Sequence, residues 1–135
     1  MIKKIILILL PVLLIVSCSP KGRPTTAMDT GTQFIRETLD GDYDVAQSLI
    51  YPDSLNVQFF NLYKTQYDRS SEDDKKNYKN ADYVINKSTD VNDSVTVINY
   101  SNTYMKKPLE IKVIRKDGEW QIDFKYTVSG NSSNN

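Results

Sequence analysis

The stretch from Leu109 to Tyr126, folded about Asp117-Gly118, limits the fold more tightly than any other part of the chain, because two independent patterns in it select the same strand register. Asp-Gly between alternating segments favours a two-residue hairpin turn. That turn sets Lys116 opposite Glu119, then Val113 opposite Ile122, Ile111 opposite Phe124 and Leu109 opposite Tyr126, so one side of the hairpin is continuously apolar. On the other side Lys112 faces Asp123 and Glu110 faces Lys125, opposite charges that support the pairing by roughly 0.2–1 kcal/mol each. A slip of one residue would turn the apolar set toward water. Strands are therefore predicted at about 109–115 and 120–126.

The residues after Ala81 share this β-branched and aromatic texture, with further strands predicted at about 82–90 and 94–103 around an Asn92-Asp93 turn. In this first hairpin Val95 and Val97 lie on one face while Ile98 and Tyr100 lie on the other, so either both faces are partly covered or a bulge intervenes. Lys106-Lys107 reads as an exposed connection or as an edge strand kept soluble by its lysines.

Ahead of the strands the spacing is helical. Phe34, Ile35, Thr38 and Leu39 share a face over Thr32–Leu39, and Gly41 can end that helix in the left-handed conformation. Asp42 then caps a short second helix with Asp44 in its first turn and Val45, Ala46, Leu49 and Ile50 as its apolar stripe. Pro52 ends it. Asp53 or Ser54 caps a third helix, whose predicted buried face is Leu55, Phe59, Leu62 and Tyr63, extending to Tyr67. Residues 70–80 are nearly all polar and read as a capped helical turn or loop, with Glu72-Asp73-Asp74-Lys75-Lys76 as a solvated helix start rather than a metal site. The expected plan is α+β, with N-terminal helices packed on a curved four-stranded antiparallel sheet.

The N-terminus carries an address. Lys3-Lys4 precede an apolar run from Ile5 to Val16, too short to span a bilayer, which needs about 20 residues. The run ends in Ile15-Val16-Ser17-Cys18, which resembles the lipobox of bacterial lipoproteins. That resemblance implies cleavage after residue 17, acylation of Cys18, and a membrane partner engaged through two or three lipid chains, since one chain alone anchors weakly. The alternative is an ordinary secretory signal that contains a cysteine. Residues 1–17 are thus expected as signal peptide, 18–30 as a tether, 31–128 as one domain and 129–135 as a disordered tail. Ser19 after the cysteine resembles the pattern of lipoproteins sent to the outer membrane, and the missing acidic cluster points to the periplasmic face.

Loss of Lys3 and Lys4 with the signal takes the bases from 17 to 15 against 17 acids, a formal charge of −2, which makes nucleic acid a poor partner. The chain has no histidine, and its one cysteine is the lipidation candidate. Histidine-dependent zinc or acid–base chemistry is excluded, the fold must rest on an apolar core without disulfides, and no metal or cofactor is expected.

With a lipobox ahead of a helix, a Gly41-Asp42-Tyr43 break, two further helices and a meander, the chain resembles the small lipoproteins of domain of unknown function 4878, in the nuclear transport factor 2-like superfamily. Phe34, Ile35, Leu39, Gly41-Asp42-Tyr43, Ala46 and Leu49 carry the likeness at the helical end, and Lys116-Asp117-Gly118-Glu119-Trp120 with Ile122 at the strand end. A cystatin-like arrangement is the structural alternative. The superfamily holds both enzymes and domains that only bind, so the fold implies no activity.

The expected register turns Glu110, Glu119 and Asp123 outward and leaves no base on the inward face. The expected ligand pocket is lined by Phe59, Tyr63, Ile111, Val113, Trp120, Ile122, Phe124 and Tyr126. Tyr63, Tyr67, Tyr100 and Tyr126 could supply hydrogen-bonding walls or plain core. The reading is a non-catalytic, membrane-anchored module for a small apolar ligand or an envelope protein. Its alternatives are an accessory subunit of an envelope assembly, or a small enzyme that uses a loop carboxylate such as Asp82 or Asp90.

Overall fold

Thr26 opens the first helix, its side chain accepting the Asp29 N–H at 3.0 Å and so satisfying one of the unpaired donors at a helix start. The computed structural model describes residues 22–132, with side chains through residue 129; the signal segment, Cys18 and the first part of the tether lie outside them. Helix α1 spans Ala27–Asp40 and so begins within the segment expected as tether. Thr30, the last residue expected as tether, and Gly31 are helical and buried because α1 lies close against the sheet. A Cβ on Gly31 would come within 2.5 Å of Ile98 Cδ1 and 3.2 Å of Ile111 Cδ1.

Gly41 ends α1 at φ 80°, as expected. Asp42 caps α2, Tyr43–Ser48, and Asp53 caps α3, Ser54–Asp68, by accepting the Asn56 N–H at 2.8 Å. The buried face of α3 differs from the expected one. Asn56 and Phe60 turn inward, whereas Leu55 and Leu62 are 51% and 55% exposed and Tyr63 is exposed over part of its surface. Helix α4 spans Glu72–Asn80 behind a Ser71 cap.

The sheet is an antiparallel meander in the order β1 (Tyr83–Asn92), β2 (Val95–Asn102), β3 (Pro108–Lys116) and β4 (Glu119–Ile122). The chain is thus α+β. In β2 Thr96, Ile98, Tyr100 and Asn102 face the core while Val95 and Val97 are half-buried behind them. Pairing with β1 is also irregular at Ile85/Lys87 and at Asp90/Asn92, so both explanations of the first hairpin hold together. Residues 103–107 are an exposed connection.

At the second hairpin Asp117 and Gly118 take φ values of 51° and 78°. Lys116 pairs with Glu119 and Val113 with Ile122 in the expected register. Beyond Ile122 the expectation fails. The chain turns into α5, Phe124–Ser132, so Ile111–Phe124, Leu109–Tyr126 and Glu110–Lys125 do not pair across strands, and helix continues into the segment expected as a disordered tail. Two contacts draw the chain away. Asn56 Oδ1 accepts the Lys125 N–H at 2.8 Å, and Lys125 Nζ reaches Asp53 at 2.6 Å and Asp123 at 3.0 Å. Asp123, expected outward, is buried; its N–H still donates to Lys112 O at 2.9 Å, and its carboxylate lies 3.6 Å from Lys112 Nζ.

The free edge of β4 is covered by the chain after α2. Ile122 N–H donates to Leu49 O at 2.8 Å and Tyr51 N–H to Ile122 O at 3.0 Å, a parallel bridge centred on Ile50. The core closes around Phe34, Ile35, Phe60, Ile98, Ile111, Val113, Ile122 and Phe124, each side chain worth about 1.5–3 kcal/mol when fully buried. Among the described residues no helix is long and apolar enough to cross a membrane.

Candidate functional site

The eight residues expected around one pocket are not brought together as its walls. Ile111, Val113 and Ile122 have no accessible surface and Phe124 almost none, so they are packed core. Phe59 is half-buried against that core. Tyr126 is half-buried too, with Lys112 Nζ 5.3 Å from its ring centre. Tyr63 and Trp120 do line hollows, but different ones.

Tyr63 belongs to a cleft of about 190 Å³ walled by Thr38, Tyr43, Tyr63, Gln66, Tyr67, Ser70 and Tyr78. All four N-terminal helices contribute to this cleft or its rim. Tyr43 follows the break at Gly41 directly, and its buried ring lies 4.8 Å from Tyr67, 5.8 Å from Tyr63 and 5.7 Å from Phe60, centre to centre. Gly41 is required twice over: its φ is positive, and the Tyr67 hydroxyl and ring occupy the space a Cβ would need. Helix α4, which brings Tyr78, is tied to α1 by Arg36, whose guanidinium donates to Ala81 O at 2.9 Å and Lys79 O at 3.2 Å. A cation there also complements the α4 C-terminus. On its other side Tyr104 donates to Asp74 at 2.5 Å and meets the Tyr78 ring edge-on at 4.8 Å.

Burial pushes the Tyr43, Tyr63, Tyr78 and Tyr100 hydroxyls above their ordinary titration range; neighbouring phenols add to the shift of Tyr43 and Tyr100, whereas those around Tyr63 act in both directions. These phenols keep their protons at neutral pH, where they can donate and accept hydrogen bonds but do not serve as bases. The hydroxyls of Thr38 and Ser70 are committed to backbone carbonyls, Thr38 to Phe34 O and Ile35 O and Ser70 to Gln66 O. What those two can offer a ligand is lone pairs.

Trp120 lines a second, wider hollow of about 700 Å³, between the start of α1 and the far end of the first hairpin, with Met28, Ser88, Asp90, Asn92, Asp93 and Thr96. Asp90 Oδ1 accepts the Thr96 hydroxyl at 2.7 Å, and Arg115 lies 5.9 Å from the Trp120 ring. Asp90, the loop carboxylate considered for catalysis, therefore sits in this groove and not among the tyrosines. Tyr43 and Tyr78 were missed as wall residues by sequence reasoning. A tyrosine on each of three successive helices, one immediately after the Gly-Asp break, was the available signal.

Compared with known proteins, the chain matches no family model, no curated protein and no solved structure.

Proposed function

We propose that this chain is a lipid-anchored protein of the bacterial envelope, held in the outer membrane through Cys18 and facing the periplasm, whose nuclear transport factor 2-like domain binds a small molecule without transforming it. The tyrosine cleft carries this reading. Its walls are phenols, hydroxyls and one amide, an inventory suited to orienting a ligand, whereas proton transfer needs a group that titrates near the working pH. The likeness to domain of unknown function 4878 rests on the lipobox and on the Gly41-Asp42-Tyr43 and Asp117-Gly118-Glu119-Trp120 segments.

A second reading is favoured by α3. Leu55 and Leu62 lie exposed one above the other, and Gln58, Asn61 and Thr65 beside them are uncharged. Charge depletion around an apolar strip is the composition of a protein contact.

Two measurements test the proposal. Metabolic labelling with a fatty acid should mark the wild type and not Cys18→Ala; a labelled variant refutes the anchor. Fragment screening by NMR on the full processed chain should shift resonances of Thr38, Tyr63, Gln66 and Tyr78. Shifts confined to Trp120 or to the Leu55–Leu62 strip would move the site elsewhere.

A further inference from the structure

We infer that the tyrosine cleft selects an uncharged, single-ring molecule bearing O–H or N–H donors on its edge, the chemistry shared by a neutral pyranose sugar and a nucleobase, and discriminates against ionised molecules of the same size. The inference rests on reading this cleft as the binding site.

Size comes first. A volume of about 190 Å³ is below the 300–1,000 Å³ of pockets for drug-sized ligands and equals the space of about six waters. One ring and its substituents fill it.

Charge comes second. None of the seven lining side chains is ionised at neutral pH. The nearest charges on the rim are already engaged: Lys75 Nζ donates to Asp68 O and pairs with Glu72, and Asp74 accepts from Tyr104 and Ser71. An ion entering the cleft would lose hydration with no opposite charge among the lining side chains to offset the loss.

Hydrogen-bond polarity comes third. Because Thr38 and Ser70 spend their hydrogens on backbone carbonyls, they face a ligand as acceptors. At those two positions a carboxylate, which only accepts, would set oxygen lone pairs against oxygen lone pairs and would depend on the phenols and the Gln66 amide for donors. A sugar hydroxyl or a base N–H donates to them and can accept from the Gln66 amide.

Ring faces come fourth. Tyr43 is enclosed by Phe60, Tyr63 and Tyr67, and Lys75 Nζ lies 5.7 Å from the Tyr67 ring centre. The Tyr43 and Tyr67 faces that an alkylammonium ion would need are therefore taken.

The test is a matched series on the full processed chain in detergent, read by saturation-transfer NMR and repeated on Gln66→Ala: glucose against glucose 6-phosphate, glucuronate and glucosamine, and uracil against its 6-carboxylate. A neutral member should bind at least about tenfold tighter than its ionised partners, equivalent to about 1.4 kcal/mol, and Gln66→Ala should weaken it. Equal or tighter binding of an ionised member, still weakened by Gln66→Ala, overturns the inference and leaves the cleft as the site. If no member binds in a way that Gln66→Ala weakens, the site reading falls, and the inference with it.

Discussion

Replacing Asn56 by Ala tests how the C-terminal helix is held against the rest of the domain. The Asn56 side chain is fully buried and makes three hydrogen bonds: Nδ2 donates to Tyr51 O at 3.0 Å and to Asp53 Oδ2 at 3.3 Å, and Oδ1 accepts the Lys125 N–H at 2.8 Å. Tyr51 O keeps a second donor, the Asp53 N–H at 2.9 Å, so losing the amide there costs an ordinary bond of roughly 0.5–1.5 kcal/mol. The Lys125 N–H belongs to the first turn of α5, where no carbonyl within the helix can take it. Left buried and unpaired it costs roughly 1–3 kcal/mol. The sum is a loss of about 3 kcal/mol, which for a domain near 100 residues lowers Tm by ~12–24 °C. Urea unfolding of the wild type and Asn56→Ala under identical conditions measures it, with Asn61→Ala on the exposed side of α3 as a control expected within about 0.5 kcal/mol of wild type. Hydrogen exchange should show the amides at the start of α5 losing protection before those of β2 and β3. A loss below about 1 kcal/mol with α5 protection unchanged would show that the amide is not what holds the helix.

Two further outcomes follow from the packing. Tyr43, Tyr63, Tyr78 and Tyr100 have raised pKa values when folded. Their contribution to stability is therefore complete below the ordinary phenol value near 10 and declines as pH rises above it, because the unfolded chain releases those protons first. Phenolate absorbance followed to high pH should show Tyr43 and Tyr100, both buried, ionising only as the domain unfolds; a smooth titration of all nine tyrosines in the folded state would contradict that placement. Gly31→Ala should destabilise by about 1 kcal/mol even though Ala is the better helix former, since an overpacking cost of roughly 1–3 kcal/mol exceeds a propensity gain of ~1 kcal/mol. Shortening the opposing side chain with Ile98→Val should recover part of the loss, and a stabilised single variant would mean there is more room beside Gly31 than the 2.5 Å a Cβ there would leave to Ile98 Cδ1.

Elements whose signals are local could be read before the structure. Gly41 and Asp42 mark the break between α1 and α2 because positive φ and capping are properties of single residues. The Asp117-Gly118 turn sets its register through its own backbone geometry. Three readings failed where a distant partner decided the outcome. The start of α1 was hidden because residues 27–30 follow a Pro- and Gly-containing stretch without apolar periodicity, and the need for a small residue at Gly31 shows only once the sheet is in place. The inward face of α3 was misjudged by about one position, because Leu55, Phe59, Leu62 and Tyr63 form a regular apolar stripe. The face that turns inward includes a polar residue, Asn56, whose partners lie 5 and 69 positions away. Residues 123–126 alternate like a strand and become helix because Asn56 and Asp53 receive Lys125.

The misread segment and the candidate site are physically connected. Had Phe124 continued β4 as a cross-strand partner of Ile111, it would have remained on the sheet. Turned into α5, its ring instead lies 5.3 Å from Phe60, 6.0 Å from Phe34 and 5.6 Å from Tyr63. Phe60 in turn packs 5.7 Å from Tyr43. The aromatic chain from α5 through α3 to the residue after the Gly41 break therefore backs the cleft with rings that have little freedom to move, since dense packing leaves no space for a displaced one. Asn56, which stands outside the cleft, acts on it by keeping α5 and hence Phe124 in place. Binding at Tyr63 and Tyr43 should accordingly weaken in Asn56→Ala even under conditions where the variant is still fully folded, whereas an unchanged affinity would mean that the rings hold the cleft without help from α5.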